Sequence, residues 1–122
     1  MWTIGTPITK DYRIIKIWLE CFDNLKIDRK QFKVVWLNLS DDIEIENLLQ
    51  SYKREHESDF FDFVILDKSI KKYPPSVPKE SHIRRKTVSE SMQILNEHRV
   101  GDMVIWEDDI IVDSDAFIKL EE

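Results

Sequence analysis

The chain contains a single cysteine, Cys21, among its 122 residues. An internal disulfide and a cysteine zinc cluster are therefore excluded. Cys21 sits in an amphipathic helical pattern, where a buried, inert thiol is expected rather than a nucleophile. No apolar run approaches the length of a membrane span, and no basic-then-apolar leader opens the sequence. A cytoplasmic location is the expectation. The histidines His56, His82 and His98 are scattered without metal-ligand spacing and read as surface residues. Positive charge is in deficit overall: the formal net charge is −6, which argues against general nucleic-acid binding. There is no internal repeat and no low-complexity tract.

What remains is an ordinary globular composition, 42% hydrophobic and 34% charged, in a length that supports one domain, residues 1–122, with one core. The charge is unevenly spread. From Lys68 to Lys86 there are seven bases and one acid, and from Asp102 to Glu122 eight acids and one base. Such blocks are often solvated faces that attract each other. They also suit a metal–diphosphate ligand, whose cation needs acids and whose phosphates need bases.

Trp2 to Pro7 reads as a first strand ended by the proline. Asp11 is placed to cap a helix carrying Ile14, Ile15, Trp18, Phe22 and Leu25 at helical spacing. Phe32 to Leu37 is a second strand, rich in β-branched and aromatic residues. Asp41 with Glu44 forms a capping box for a helix that turns Ile45, Leu48, Leu49 and Tyr52 to one side. Phe61 to Leu66 is a third strand ending at Asp67. Residues 68–80, with Pro74, Pro75 and Pro78, read as a long surface loop. Ser81 opens a third helix with Val88, Met92 and Leu95 facing the core, ended by Gly101. Met103 to Trp106 is a fourth strand. A short last helix, capped by Ser114 or Asp115, runs to Leu120. Trp18, Trp36 and Trp106 lie in apolar patterns and are expected in the core.

The order β-α-β-α-β-loop-α-β-α implies an α/β fold: a mostly parallel sheet with helices on both faces. In a parallel sheet all carboxyl ends of strands lie on one edge, where open α/β sheets bind ligands. That edge collects Thr6-Pro7, Asn38 with Ser40 and Asp41, Asp67, and the triplet Glu107-Asp108-Asp109. Three acids at the end of a core strand repel one another and are costly to desolvate. A divalent cation relieves that cost, because hard carboxylate oxygens suit Mg2+, Mn2+ or Ca2+. A solvated acidic turn is the plain alternative, and the triplet alone does not separate the two.

The arrangement resembles the Rossmann-like, nucleotide-binding half of the GT-A glycosyltransferases, family 2 most of all. The resemblance rests on a first strand ending in a proline-containing loop, Ile4-Gly5-Thr6-Pro7-Ile8-Thr9, and on the acid- and serine-rich turn Asn38-Leu39-Ser40-Asp41-Asp42. It rests most on Val100-Gly101-Asp102-Met103-Val104-Ile105-Trp106-Glu107-Asp108-Asp109, where a small-residue turn leads into a strand with an acid-x-acid motif. The resemblance implies a nucleotide-sugar donor, a UDP-sugar first, and Mn2+ or Mg2+ held by Glu107 and Asp109. It further implies that Pro7 and Thr9 line a nucleobase pocket and that Asp108 lies with the nucleotide-contacting residues. Asn38 falls where the family usually has an acid, with Ser40 and Asp41 beside it as substitutes. Arg84 or Arg85 approaches the phosphates on this reading; the competing reading is a solvated helix start.

The resemblance implies no catalytic base in these residues, since GT-A enzymes generally take it from an acceptor-binding second half. Three expectations follow: a part of a longer enzyme, a homo-oligomer that completes the site, or binding without turnover. Two other function classes share the acidic edge. One is a metal-dependent phosphoryl-transfer or nuclease-like domain, and the other an interaction module that binds a basic partner.

Overall fold

The computed structural model describes residues 1–67, 91–108, 110, 112 and 114–117. In chain order the elements are β1 (Trp2–Ile8), α1 (Tyr12–Asp23), β2 (Phe32–Asn38), α2 (Ile43–His56) and β3 (Asp62–Asp67). Residues 91–97 are helical (α3), and β4 (Asp102–Ile105) follows. The four strands form one sheet in the order β3-β2-β1-β4, every pair parallel. The α/β, Rossmann-like expectation holds. The expected loop at 68–80, the cap Ser81, the helix residue Val88 and residues 118–120 lie outside the described residues; residues 114–117, the expected start of the last helix, form a turn.

Several boundaries differ from the sequence reading: β2 extends to Asn38, β3 starts at Asp62 rather than Phe61, and β4 runs Asp102–Ile105, leaving Trp106 just outside the strand. β1 runs through Pro7 to Ile8 instead of stopping at the proline. Residues of a parallel strand bond alternately to either neighbour, and the Trp106 amide donating to the Gly5 carbonyl at 2.9 Å puts Gly5 on the β4 side. Pro7, two residues on, faces the same side, where β4 has already ended opposite Gly5. Its missing N–H therefore breaks no ladder bond, and pairing with β2 continues to Ile8↔Asn38. At α2 the cap is Asp42, not Asp41: its carboxylate accepts the Glu44 amide at 2.9 Å. Ser40 Oγ accepts the Asp42 amide at 3.0 Å. This side-chain turn carries the chain one residue further before the helix starts. Asp11 caps α1 as expected, accepting the Ile14 amide at 3.1 Å.

Alternation along the strands divides the apolar residues between two faces. Ile4, Ile8, Val34, Trp36 and Phe63 pack with Ile15, Trp18 and Phe22 of α1 and Ile45 and Leu49 of α2. Val35 and Leu37 pack on the other face with Leu95 of α3. The first face is dominated by aromatic rings. Trp18 meets Trp36 at 5.2 Å and Trp106 at 5.7 Å between centroids, both edge-on, and Phe22 meets Trp36 edge-on at 5.2 Å. These are favoured ring geometries, and all three tryptophans are buried, as their apolar surroundings in the sequence predict. On the second face Gly5 lies against β4 and α3, where a Cβ would make ordinary contacts at 3.4 Å from Ile105 and 3.5 Å from Leu95.

The start of β4 is set by β1. Buried Thr3 donates its hydroxyl to the Val100 carbonyl at 2.8 Å and accepts the Val100 amide at 2.7 Å. The chain then turns at Gly101, whose φ is +66° and where a Cβ would run into the Met1 carbonyl. Only glycine meets both demands. At the opposite end of α1 and α2, Tyr52 donates to Asp23 at 3.0 Å, and Arg29 reaches both Asp23 and Asp59 at 3.3 Å. Burial holds the Tyr52 phenol well above the usual tyrosine range, reinforced by the Asp23 bond and opposed by Arg29.

Thr3→Val keeps the volume but orphans both backbone groups of Val100, so chemical denaturation should show a loss of about 1–3 kcal/mol. Tyr52 has a raised pKa in the folded state, so its contribution is complete below the unfolded value of about 10 and is lost as pH rises above it. The wild type should therefore lose stability in alkaline melts above about pH 10 more steeply than Tyr52→Phe, which has no phenol to ionise.

Candidate functional site

The strand order reverses at β1. From β1 the chain builds outward to β2 and β3 with α1 and α2 on one face, then returns past α3 on the other face to add β4 beside β1. The carboxyl ends of β1 and β4 thus flank the topological switch point, where open α/β sheets leave a crevice for ligands. Pro7, near the end of β1, and Thr9, just past it, stand there, and Glu107 and Asp108 follow the end of β4 there.

Asp108 is the best-defined side chain of this edge. It is only 2% exposed, and one carboxylate oxygen accepts the Thr9 amide at 2.6 Å and the Lys10 amide at 2.9 Å. Its other oxygen lies 3.4 Å from the Thr9 hydroxyl. Two backbone donors satisfy a buried carboxylate that would otherwise be expensive. Geometrically the carboxylate continues β4's role, bonding the side of β1 that β4 itself no longer reaches. Glu107, one residue before, is exposed. Trp106 anchors the segment from below: its ring is buried against Trp18 and Phe117, and its indole N–H donates to the Ile110 carbonyl at 2.8 Å. The Ile110 amide in turn donates to the Glu107 carbonyl at 3.2 Å. These two bonds tie Trp106, whose ring is in the core, and Glu107, which is exposed, to Ile110. Asp109 lies outside the described residues, as do Arg84 and Arg85.

A second cluster stands at the end of β2. Asn38 is 3% exposed; its amide N–H donates to Glu46 at 2.6 Å and its carbonyl oxygen accepts the Ser40 amide at 3.0 Å. Glu46 also accepts from Gln50 at 3.0 Å. The structure thus brings Asn38 and Ser40 together and adds Glu46, which the sequence reading did not single out. An acid in the first turn of a helix ordinarily answers the helix dipole, and nothing in its spacing announced the Asn38 contact. Asp41 is exposed beside this cluster, and Asp67 is exposed at the end of β3. Cys21 is half-buried, its thiol 3.1 Å from the Val112 carbonyl. His56 and His98 are each partly covered rather than fully exposed.

Among the described residues, no group of three or more acids, histidines or cysteines is placed to hold a metal ion. A three-ligand protein cage is not required for every divalent ion. Mg2+ at phosphate sites is commonly held by one or two carboxylates, with phosphate oxygens completing its shell. The amides that dinucleotide-binding folds present to a pyrophosphate, in the first strand-to-helix turn, are here the Thr9 and Lys10 amides already taken by Asp108. These two amides are therefore not free to hold an anion at this edge.

The sequence matches no protein-family model and no curated protein. In fold, the chain is similar to the mannosyltransferase PcManGT from Pyrobaculum calidifontis, solved in complex with GDP-Man and Mn2+, with a TM-score of 0.60 at 14% identity. The likeness covers 88% of this chain and 27% of that one. The fold is glycosyltransferase-like. The chain spans about a quarter of the mannosyltransferase's length. No helix among the described residues is long and apolar enough to cross a membrane.

Proposed function

We propose that this chain is the nucleotide-sugar-binding domain of a GT-A-type glycosyltransferase, taking its donor with a divalent ion at the carboxyl edge of the sheet. The observation that carries the reading is the approach, at the β1–β4 switch point, of Thr9 and Lys10, which follow β1, to Asp108, which follows β4. It is supported by the glycosyltransferase-like fold and by a structural neighbour that holds GDP-Man and Mn2+. Saturation of the Thr9 and Lys10 amides by Asp108 adds a physical reason for a cation, since the usual backbone cradle for phosphate is spent.

In this reading Glu107 and Asp109 hold Mn2+ or Mg2+, and the donor's phosphates supply further oxygens. The ion, when bound, neutralises charge developing on the departing diphosphate. Pro7 and Thr9 border the nucleobase. Asn38, buried and bonded to Glu46 and Ser40, holds the turn at the end of β2 that carries Ser40 and Asp41 toward the donor. Arg84 and Arg85 contribute positive charge toward the phosphates. Sugar transfer needs a base for the acceptor hydroxyl. That base comes from a further segment or from a second copy of the chain.

Calorimetry with the 122-residue chain should show UDP or GDP binding in Mn2+ and at least about tenfold weaker binding in EDTA, a difference of about 1.4 kcal/mol. Asp109→Ala should reproduce the EDTA result without lowering thermal stability. Equal affinity with and without the ion defeats the metal-held donor, and cleavage of a phosphodiester without any sugar donor would favour phosphoryl-transfer chemistry instead.

A further inference from the structure

We infer that Asp108 is a positioning residue: the middle acid of Glu107-Asp108-Asp109 binds no metal but latches the β1–α1 loop to the acidic turn, so that the base-binding and metal-binding halves of the site are set by one carboxylate. The inference rests on the donor-site reading above and deepens it.

Three observations carry it. The Asp108 side chain is buried while its neighbour Glu107 is exposed, so consecutive acids of the triplet do different work. Its oxygens are engaged by Thr9 and Lys10, residues 98 and 99 positions away along the chain. Each side of this latch is tied down by a further bond. The loop is followed at once by the Asp11 cap of α1, and the acidic turn is pinned by the Trp106 indole bond to Ile110. A carboxylate bridging two segments that are each tied down sets their separation, and charge-assisted bonds to backbone amides are stronger and shorter than neutral ones. Pro7 and Thr9 stand on one element and Glu107 on the other. Loosening the latch should therefore degrade recognition of the nucleoside while sparing the grip on phosphate.

The test separates those two grips. With Mn2+ present, binding of UDP or GDP and of inorganic pyrophosphate is measured for the wild type, Asp108→Ala and Asp108→Asn, and hydrogen exchange is followed at the Thr9 and Lys10 amides. Asp108→Ala should weaken the nucleotide by about tenfold or more, the scale of one charge-assisted hydrogen bond lost. It should leave pyrophosphate unchanged and should speed exchange at both amides. Asp108→Asn keeps one acceptor oxygen and should recover part of the nucleotide affinity. If Asp108→Ala does not fold, the same selective loss must appear, smaller, in Asp108→Asn. Equal weakening of nucleotide and pyrophosphate would make Asp108 a metal ligand or a general stability residue and overturn the inference. Unchanged nucleotide affinity in Asp108→Ala overturns it while leaving the donor-site reading standing. A wild type that binds no nucleotide overturns the donor-site reading and this inference with it.

Discussion

Everything at the candidate site depends on β1 being paired in parallel on both sides. A parallel neighbour cannot be reached by a tight turn, so each connection must cross the sheet and return. β2 and β4 therefore begin at the same edge as β1 and finish at the same opposite edge, bringing residues 7–9, 38–40 and 106–108 together from distant parts of the chain. Placing β4 next to β1, rather than beyond β3, brings Asp108 against Thr9 and Lys10 at the end of β1. The side chain of Thr3 holds that placement by clamping both backbone groups of Val100.

The edge is polar because the rest of the domain is built to tolerate it. The aromatic cluster of Trp18, Phe22, Trp36 and Trp106 lies directly beneath, and large rings bury much area in few residues. Trp106 is the join between the two regimes, with its ring in the cluster and Glu107 in the solvent next to it. Acids so close to a core cost little only if they are solvated or saturated with donors. Glu107 takes the first course and Asp108 the second. The same contrast recurs at the end of β2, where buried Asn38 is satisfied by Glu46 and Ser40 while Asp41 remains exposed.

Asp108 also changes what the fold can bind. In many nucleotide-binding α/β proteins the first strand-to-helix turn is an anion site. Here an internal carboxylate accepts the Thr9 and Lys10 amides of that turn, so they are not free to hold an anion.

The alternation of strand and helix patterns determined the fold class, because periods of 2 and 3.6 residues are local properties of the chain. They placed Trp18, Trp36 and Trp106 in the core and the candidate polar residues at the ends of strands. The Asp11 cap was legible for the same reason: its partner, Ile14, is three residues away. Helix and strand boundaries were less so. β1 continues through Pro7 only because β4 stops opposite Gly5, and no local rule contains the length of a neighbouring strand. The roles within the acid triplet were not legible at all. Glu107, Asp108 and Asp109 are chemically alike in sequence, and what distinguishes the buried Asp108 is a pair of amides about 100 residues away. Glu46 was missed likewise, since its bond to Asn38 depends on how α2 settles against the end of β2. The sequence by itself determined which segments are strands, which are helices and which ends are polar; tertiary structure alone decided which carboxylate is spent on the backbone, because hydrogen bonds between distant segments exist only once the sheet has brought them together.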